Sequence, residues 1–247
     1  MQCVNRVHSD ALLIRARLWR PPNDLLGSGQ LDLLKSGAFL LMLLDHTNKA
    51  LFAGSHAWML ALGRLAFPIF AIVFAYNLAH HFTNGARFAK RTLVFGLIAQ
   101  WPFMKLAGTG LLGGVCINIL FVFLLVWAIR SAWGKGIVGA IAAPLIFIAG
   151  SLAATSASYS WAGLALILCL AAWFKSGQPI LGILSVGAML AVAPDALWVA
   201  PLTIFLITCI ICSDQAARMG RFLPRYSLYA AYAGHLWLLV LLAGLSI

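Results

Sequence analysis

Three side chains that can do chemistry lie inside or beside apolar stretches. Asp45 and His46 follow the apolar run that begins after Lys35, and Arg64 interrupts the next run. A charged residue within a membrane span costs roughly 2.5–3.5 kcal/mol on insertion, so such residues are rare there and usually face a polar cavity. The two helices that carry these residues are therefore predicted to line a catalytic site.

The chemistry of each side chain suggests its role. Histidine transfers protons near neutral pH, so His46 is the candidate general base. Asp45 would point about 100° away from it on an ideal helix. We therefore expect Asp45 to pair with Arg64 or to orient His235. Arg64 has a forked guanidinium that suits a phosphate or an acyl oxygen. A purely structural Asp45–Arg64 ion pair is the alternative.

Further polar residues are predicted at a similar depth. A helix rises about 1.5 Å per residue, so Asp45 and His46 lie roughly 15 Å beyond Lys35. Similar counting places a polar side chain from three other helices in the same central layer: Gln100, Asn118 and His235. A shared depth favours a common cavity, so these three are predicted to bind a substrate or a cofactor. His235 is also the alternative base.

The composition indicates an integral membrane protein. Of the 247 residues, 63% are hydrophobic and 9% are charged, whereas a soluble domain carries about 25% charged residues. We predict an all-α polytopic bundle of about nine transmembrane helices over residues 32–247, preceded by a basic cytoplasmic tail over 1–31. The predicted spans are 33–53, 57–79, 91–107, 112–130, 136–153, 159–175, 178–194, 196–212 and 226–246.

The distribution of positive charge predicts the orientation. Fourteen of the 17 Lys and Arg residues fall in the tail and in alternate loops, two fall in the opposite loops, and Arg64 lies within a span. Positive loops face the cytoplasm, so the N-terminus is predicted to be cytoplasmic and the C-terminus periplasmic. The same rule accounts for the net charge of +11 without a nucleic-acid partner. Cys209 and Cys212 lack a second pair, and no metal site is predicted.

The order of several short motifs resembles the TraX family of conjugative plasmids. The resemblance extends from about residue 31 to the end of the chain, and it rests on these motifs: Leu44-Asp45-His46, Gly63-Arg64-x-x-Phe67-Pro68-x-Phe70, Asn77-Leu78, Asn118-Ile119-Leu120-Phe121, Ser158-Tyr159-x-x-Ala162-Gly163 and His235-Leu236. It adds Asn77 and Tyr159 to the predicted binding residues, although Tyr159 alone would be read as an aromatic residue at the membrane interface.

The resemblance implies a function. TraX-like proteins are enzymes of the bacterial inner membrane that acetylate the amino terminus of F-type pilin, with acetyl-CoA as the presumed donor. This chemistry would use His46 to deprotonate the amine, and Arg64 with the basic cytoplasmic edge to meet the thioester and the CoA phosphates. The implied partners are a pilin subunit, acetyl-CoA and the lipid bilayer.

Two other functions remain open at this point. A transmembrane O- or N-acyltransferase acting on a glycan or another small acceptor would use the same His and Arg. A transporter would also place ionisable residues at the midplane, but such proteins often contain paired repeats with broken helices in both halves. Here only the first half is rich in charged residues, which favours an enzyme.

Overall fold

The computed structural model describes residues 25–80, 84–107, 118–133, 135–154 and 160–244, and its regular secondary structure there is entirely helical. Asn84, Asn118 and Ser213 cap helices by accepting a backbone N–H of the first turn, as N-cap residues do. In chain order the helices are α1 (Ser28–Leu51), α2 (Ala57–Gly63), α3 (Ala66–His80), α4 (Gly85–Leu106), α5 (Ile119–Ala132), α6 (Gly136–Ala154), α7 (Ser160–Ser176), α8 (Pro179–Val192), α9 (Val199–Cys212), α10 (Asp214–Arg218) and α11 (Ser227–Leu242).

The first helix is fastened near its beginning to the last turn of α9 and to Met219, just after α10. The side-chain amide of Gln30 donates to the carbonyl of Ile210 at 2.8 Å. Gly29 lies directly against the backbone of Met219, and an added Cβ would overlap it. Only glycine permits this approach, because it has no side chain. α1 thus begins a few residues before the predicted boundary at 32, and the division into a tail and a domain stays a prediction.

Pro68 accounts for a break in the second predicted span. The sequence predicts one span over 57–79 that Pro68 breaks near its middle, and the structure separates α2 from α3 at Arg64 and Leu65. Proline has no N–H, and its ring clashes with the carbonyl four residues earlier. That carbonyl belongs to Arg64, so the chain leaves the helix there and Arg64 lies at the break.

The core is centred on α3, and its residues Ala66–Ile69 and Ala71–Tyr76 are buried. α3 packs against α1 and α7, while α11 packs against α1 and α4. α5 joins α4 to α6, and α8 packs on α7. Because α1, α3, α4 and α11 are neighbours, polar residues on these four helices can meet.

The outer helix faces are strongly apolar. Ile137, Val138 and Ile183 are 81%, 73% and 67% exposed, and a large exposed apolar surface signals contact with a lipid or a partner. Within the described ranges, the stretch Ala57–His80 is long and apolar enough to cross a membrane, and the remaining apolar helices are shorter. The all-helical prediction is confirmed for these ranges. The number of spans and the orientation of the termini stay predictions.

The turn between the seventh and eighth predicted spans is longer than expected. The sequence predicts helices over 178–194 and 196–212, but α8 ends at Val192 and α9 begins at Val199. The residues between them include Pro194, which disfavours a helical conformation in the residue before it. The longer turn presents Asp195 to solvent with 65% of its side chain exposed.

Candidate functional site

The centre of the candidate site is a pair of histidines from the first and last helices. Nδ1 of His46 on α1 lies 2.8 Å from Nε2 of His235 on α11. The two rings are nearly parallel, with an interplanar angle of 6°. The sequence predicted both residues at one depth, and the structure brings them into direct hydrogen-bond contact.

The hydrogen bonds define the proton positions on this pair. Nδ1 of His235 lies 3.1 Å from the carbonyl of Ala231. A carbonyl only accepts, so His235 carries its proton on Nδ1 and, when neutral, presents a lone pair on Nε2. His46 must then donate from Nδ1. Its lone pair is therefore on Nε2, and no described residue hydrogen-bonds to that atom. This is the arrangement of an oriented general base.

Aromatic rings hold His235 in place. Phe39 meets its ring edge-on, with centroids 5.4 Å apart and an interplanar angle of 86°. Tyr232, one turn earlier on α11, makes a second edge contact at 5.6 Å. His235 is 8% exposed. The imidazole is thus confined between apolar walls, which limits the rotation that would break the bond to His46.

Asp45 does not have the predicted partner. Its Oδ2 accepts from Lys49 Nζ at 2.6 Å, and it bonds neither to Arg64 nor to His235, so both expected pairings are wrong. The spacing of four residues on one helix brings Lys49 within reach, and this signal was present in the sequence. Oδ1 of Asp45 is buried and has no hydrogen-bond partner among the described residues. Close packing against Gly63, where an added Cβ would overlap Asp45 Cβ, holds this carboxylate.

Arg64 pairs with a residue that the sequence analysis left without a role. Its Nη2 lies 2.5 Å from Oδ2 of Asp195, in the turn between α8 and α9. The hydrogen bond from Arg64 lowers the pKa of Asp195 below its ordinary value. Solvent screens the pair on the Asp195 side, where the carboxylate is exposed. It joins the break between α2 and α3 to a distant turn, and the role of Arg64 in binding stays a prediction.

Gln100 and Asn118 meet each other. The amide of Asn118 donates to Gln100 Oε1 and to the carbonyl of Gly96, both at 2.9 Å. Its Oδ1 accepts the N–H of Leu120 at 3.0 Å, which caps α5. These bonds join α4 to α5 and give Asn118, which is fully buried, a structural task. Their predicted role in binding is not tested by this arrangement.

The remaining predicted residues differ in what is known of them. The side-chain amide of Asn77 donates to the carbonyl of Val73 on its own helix at 2.8 Å. Asn77 also lines the apolar cavity and the larger of the two polar hollows described next. Tyr159 lies outside the described residues, so its role stays a prediction.

An apolar cavity leads towards the histidine pair. It has a volume of about 140 Å³. Phe39 and Tyr232, which contact the His235 ring, belong to its wall, and so does Met42, one turn before His46. The other lining residues are Lys35, Phe70, Val73, Phe74, Asn77, Ile119, Leu120, Phe123, Leu228 and Tyr229.

A polar space, which we call the basic vestibule, adjoins the apolar cavity at Lys35 and Tyr229. It consists of two adjoining hollows of about 230 and 520 Å³. The larger hollow shares Lys35, Phe74, Asn77 and Tyr229 with the apolar cavity. Five cationic side chains line the vestibule: Lys35, Arg87, Arg91, Arg221 and Arg225. The family resemblance implied that a basic cytoplasmic edge meets the CoA phosphates, and the packing of α1, α4 and the 219–226 segment shows which of these residues share one space.

Asp32 fastens the segment that carries Arg221. Its Oδ2 accepts the N–H groups of Phe222 and Leu223 at 3.1 and 3.0 Å, and its Oδ1 accepts from Lys35 at 2.9 Å. Burial raises the pKa of this carboxyl, but the hydrogen bonds from Lys35, Leu223 and Phe222 outweigh that effect and hold it below the ordinary value.

These features define a class of protein: an all-helical, apolar bundle with a paired-histidine centre and a basic entrance. Comparison with known proteins supplies the family. The family model described as TraX protein matches residues 30–243. Protein TraX of Escherichia coli is 32% identical over 252 residues, covering 97% of each chain. Protein TraX of strain K12 is 31% identical over 253 residues, again covering 97% of each. The chain belongs to the TraX family, as its motifs indicated. No solved structure matches it.

Proposed function

We propose that this protein is a membrane N-acetyltransferase that transfers an acetyl group from acetyl-CoA to the amino terminus of F-type pilin, with His46 as the general base. The observation that carries the proposal is the ordered pair of His46 and His235. Nε2 of His46 has no described hydrogen-bond partner, while Nδ1 is held by the second imidazole at 2.8 Å. Such a pair is suited to taking one proton from an amine.

The proposed reaction needs no further reagent. The neutral amine attacks the thioester carbonyl carbon, and a C–N bond forms as the C–S bond breaks. Nε2 of His46 takes the proton that the amine nitrogen loses. The CoA thiolate leaves and receives a proton, so the products are an N-acetyl group and free CoA. His235 accepts the hydrogen bond from Nδ1 of the imidazolium that forms, which stabilises the charge.

The unpartnered oxygen of Asp45 supports a place for the acceptor. A buried carboxylate oxygen without a hydrogen bond is costly, and an incoming amino group could supply the missing donor. Asp45 directly precedes His46, near the end of α1 opposite the basic vestibule. In this proposal the acceptor approaches from that end and the donor from the vestibule.

The apolar outer faces support a location in the inner membrane. Ile137, Ile183 and Leu241 project from three different helices and are 81%, 67% and 59% exposed. Burial of apolar surface contributes about 25 cal/mol per Å², so transfer of these faces from water into lipid is favourable. The predicted orientation places the basic vestibule on the cytoplasmic side, where acetyl-CoA is found.

The test is the intact mass of F-type pilin that is co-expressed with and without this protein. We expect the mass of one acetyl group to be added, mapping to the pilin N-terminus, and to be lost with His46→Ala but retained with His56→Ala. If the mass does not change although the protein is present in the membrane, the pilin proposal fails. Acetylation of a glycan or a small amine by the same preparation would then favour the acyltransferase alternative.

A further inference from the structure

Among the described residues that line it, the basic vestibule has more cations than acids. Its lining contains five cationic side chains and one carboxylate, Asp32. Asp32 is used by Lys35 and by the 222–223 backbone. Within the described ranges, the ion pairs are Lys35–Asp32, Lys49–Asp45 and Arg64–Asp195, so no described acid neutralises Arg87, Arg91, Arg221 or Arg225. Like charges gathered in one cleft attract a polyanion.

Two aromatic rings orient the guanidinium of Arg91 in the vestibule. Its guanidinium lies 4.6 Å from the ring centre of Tyr229 and 5.1 Å from that of Tyr226, within the range of cation–π contacts. Tyr226 has a φ of 72°, a left-handed conformation that is uncommon for a bulky residue and is often found at functional sites. The Nε atom of Arg91 is buried and has no hydrogen-bond partner in the described part of the chain.

The distance from the vestibule to the histidines defines the shape of the ligand. His46 lies eleven residues beyond Lys35 on α1, a rise of about 16 Å. A ligand anchored at Lys35 by phosphate groups reaches the histidine pair only with a long, uncharged arm. The apolar cavity shares Lys35 with the vestibule, and Phe39 and Tyr232 of its wall contact the His235 ring. The larger vestibule hollow, about 520 Å³, falls in the range of roughly 300–1,000 Å³ for small-molecule sites.

We propose that the basic vestibule is the donor site: Arg91, Arg221 and Lys35 bind the phosphate groups of a nucleotide thioester, and its arm runs through the apolar cavity to His46 and His235. This inference rests on the proposed function and assigns a site to the donor. Three independent features converge on it, namely the uncompensated charge, the oriented Arg91 and the continuity with the cavity. An anionic lipid headgroup has the same phosphate chemistry, and the test separates the two sources.

The probe is desulfo-CoA, which has the phosphates and the arm but cannot transfer an acyl group. Its binding is measured by calorimetry on the full chain in phosphatidylcholine nanodiscs. We expect binding to the unchanged protein and to His46→Ala, and a loss of about 10–100-fold in affinity for Arg221→Ala and for Arg91→Gln, the range for a hydrogen bond to a charged group. Arg221 is exposed, so its replacement leaves the packing intact.

Arg130→Ala is the matched control. Arg130 is an exposed residue at the end of α5 outside the vestibule, and its removal lowers the net charge equally. We expect affinity within twofold of the unchanged protein. Equal affinities for Arg221→Ala, Arg91→Gln and the unchanged protein would overturn the donor site. So would a site that binds phosphatidylglycerol in an Arg221-dependent manner but does not bind desulfo-CoA.

The outcomes separate this inference from the proposed function. If desulfo-CoA binds with dependence on Arg221 while pilin stays unmodified, the acceptor assignment fails and the donor site stands. If Arg221→Ala acetylates pilin at an unchanged rate at acetyl-CoA concentrations below KM, the donor site fails and the acetyltransferase stands.

Discussion

Nδ1 of His46 lies 2.8 Å from Nε2 of His235, although 189 residues separate the two in the sequence. The bond joins α1 to α11, so the ends of the helical bundle meet at the candidate site. Because His235 in turn donates to the carbonyl of Ala231 at 3.1 Å, the two imidazoles carry defined tautomers. In the proposed function, His46 is the base and His235 is the residue that positions it.

His46→Ala removes the base. We expect kcat for acetyl transfer to fall roughly 10²–10⁴-fold, the usual contribution of general acid–base catalysis, while desulfo-CoA binding persists. His56→Ala is the control, because His56 lies outside the site, next to the bend after α1. Retention of at least half the rate in His46→Ala would rule out its role as the base.

His235→Ala tests the positioning role. Loss of the acceptor for Nδ1 of His46 should lower kcat about 10–100-fold and leave KM for acetyl-CoA unchanged. His235→Gln offers an amide oxygen that can accept the same hydrogen bond, so it should recover part of kcat. If both variants lose kcat equally and both have a lower unfolding temperature, His235 acts only in packing.

Gly63→Ala tests the close contact between α2 and Asp45. An added Cβ would overlap Asp45 Cβ, and overpacking of this kind costs about 1–3 kcal/mol. We expect a lower unfolding temperature in detergent. The matched variant is Gly37→Ala on α1, which has open space around its Cβ position. Alanine favours the helix by roughly 1 kcal/mol over glycine, so this change should be neutral or stabilising. The contact is refuted if both variants melt alike.

Arg64→Lys and Asp195→Asn separate two roles of the guanidinium. Nη2 of Arg64 is paired with Asp195, and the guanidinium fork has further donors that suit a phosphate or an acyl oxygen. Lysine keeps the charge but loses the fork, so we expect Arg64→Lys to lower kcat/KM about tenfold. Asp195→Asn should remain within twofold of the unchanged protein. A parallel loss in both variants would assign Arg64 to the structural link instead.

Acid should weaken the attachment of the 219–226 segment to α1. The folded protein holds the pKa of Asp32 below its ordinary value of 3.8. A lowered pKa contributes stability that is present above 3.8 and is lost as the pH falls through the folded value. We expect the unfolding temperature to stay constant from neutral pH to about 5. It should then decrease as the pH falls below 3.8. Asp32→Asn should be less stable at neutral pH and show a smaller decrease; an unchanged decrease would exclude this carboxyl as its source.

The sequence by itself determined the class of the protein and singled out the two histidines that meet. Apolar runs and polar breaks are local properties, so they predicted most helices within a few residues, and Pro68 predicted the break in the second span. They missed the early starts of α1 and α4, the short helix α10 and the longer turn around Asp195. The rarity of ionisable residues within apolar runs singled out Asp45, His46 and Arg64. Counting along helices also placed His235 at the level of His46, because rise per residue is a regular quantity.

Only the tertiary structure decided which side chains meet. Depth along a helix follows from residue number, but lateral contacts depend on which faces pack together, and this depends on close approaches such as those at Gly29 and Gly63. Packing placed Arg64 on Asp195 instead of Asp45, and it joined Gln100 to Asn118. It also gathered arginines from α4 and the 219–226 segment into one vestibule, because segments distant in the sequence share a space only once the bundle has formed.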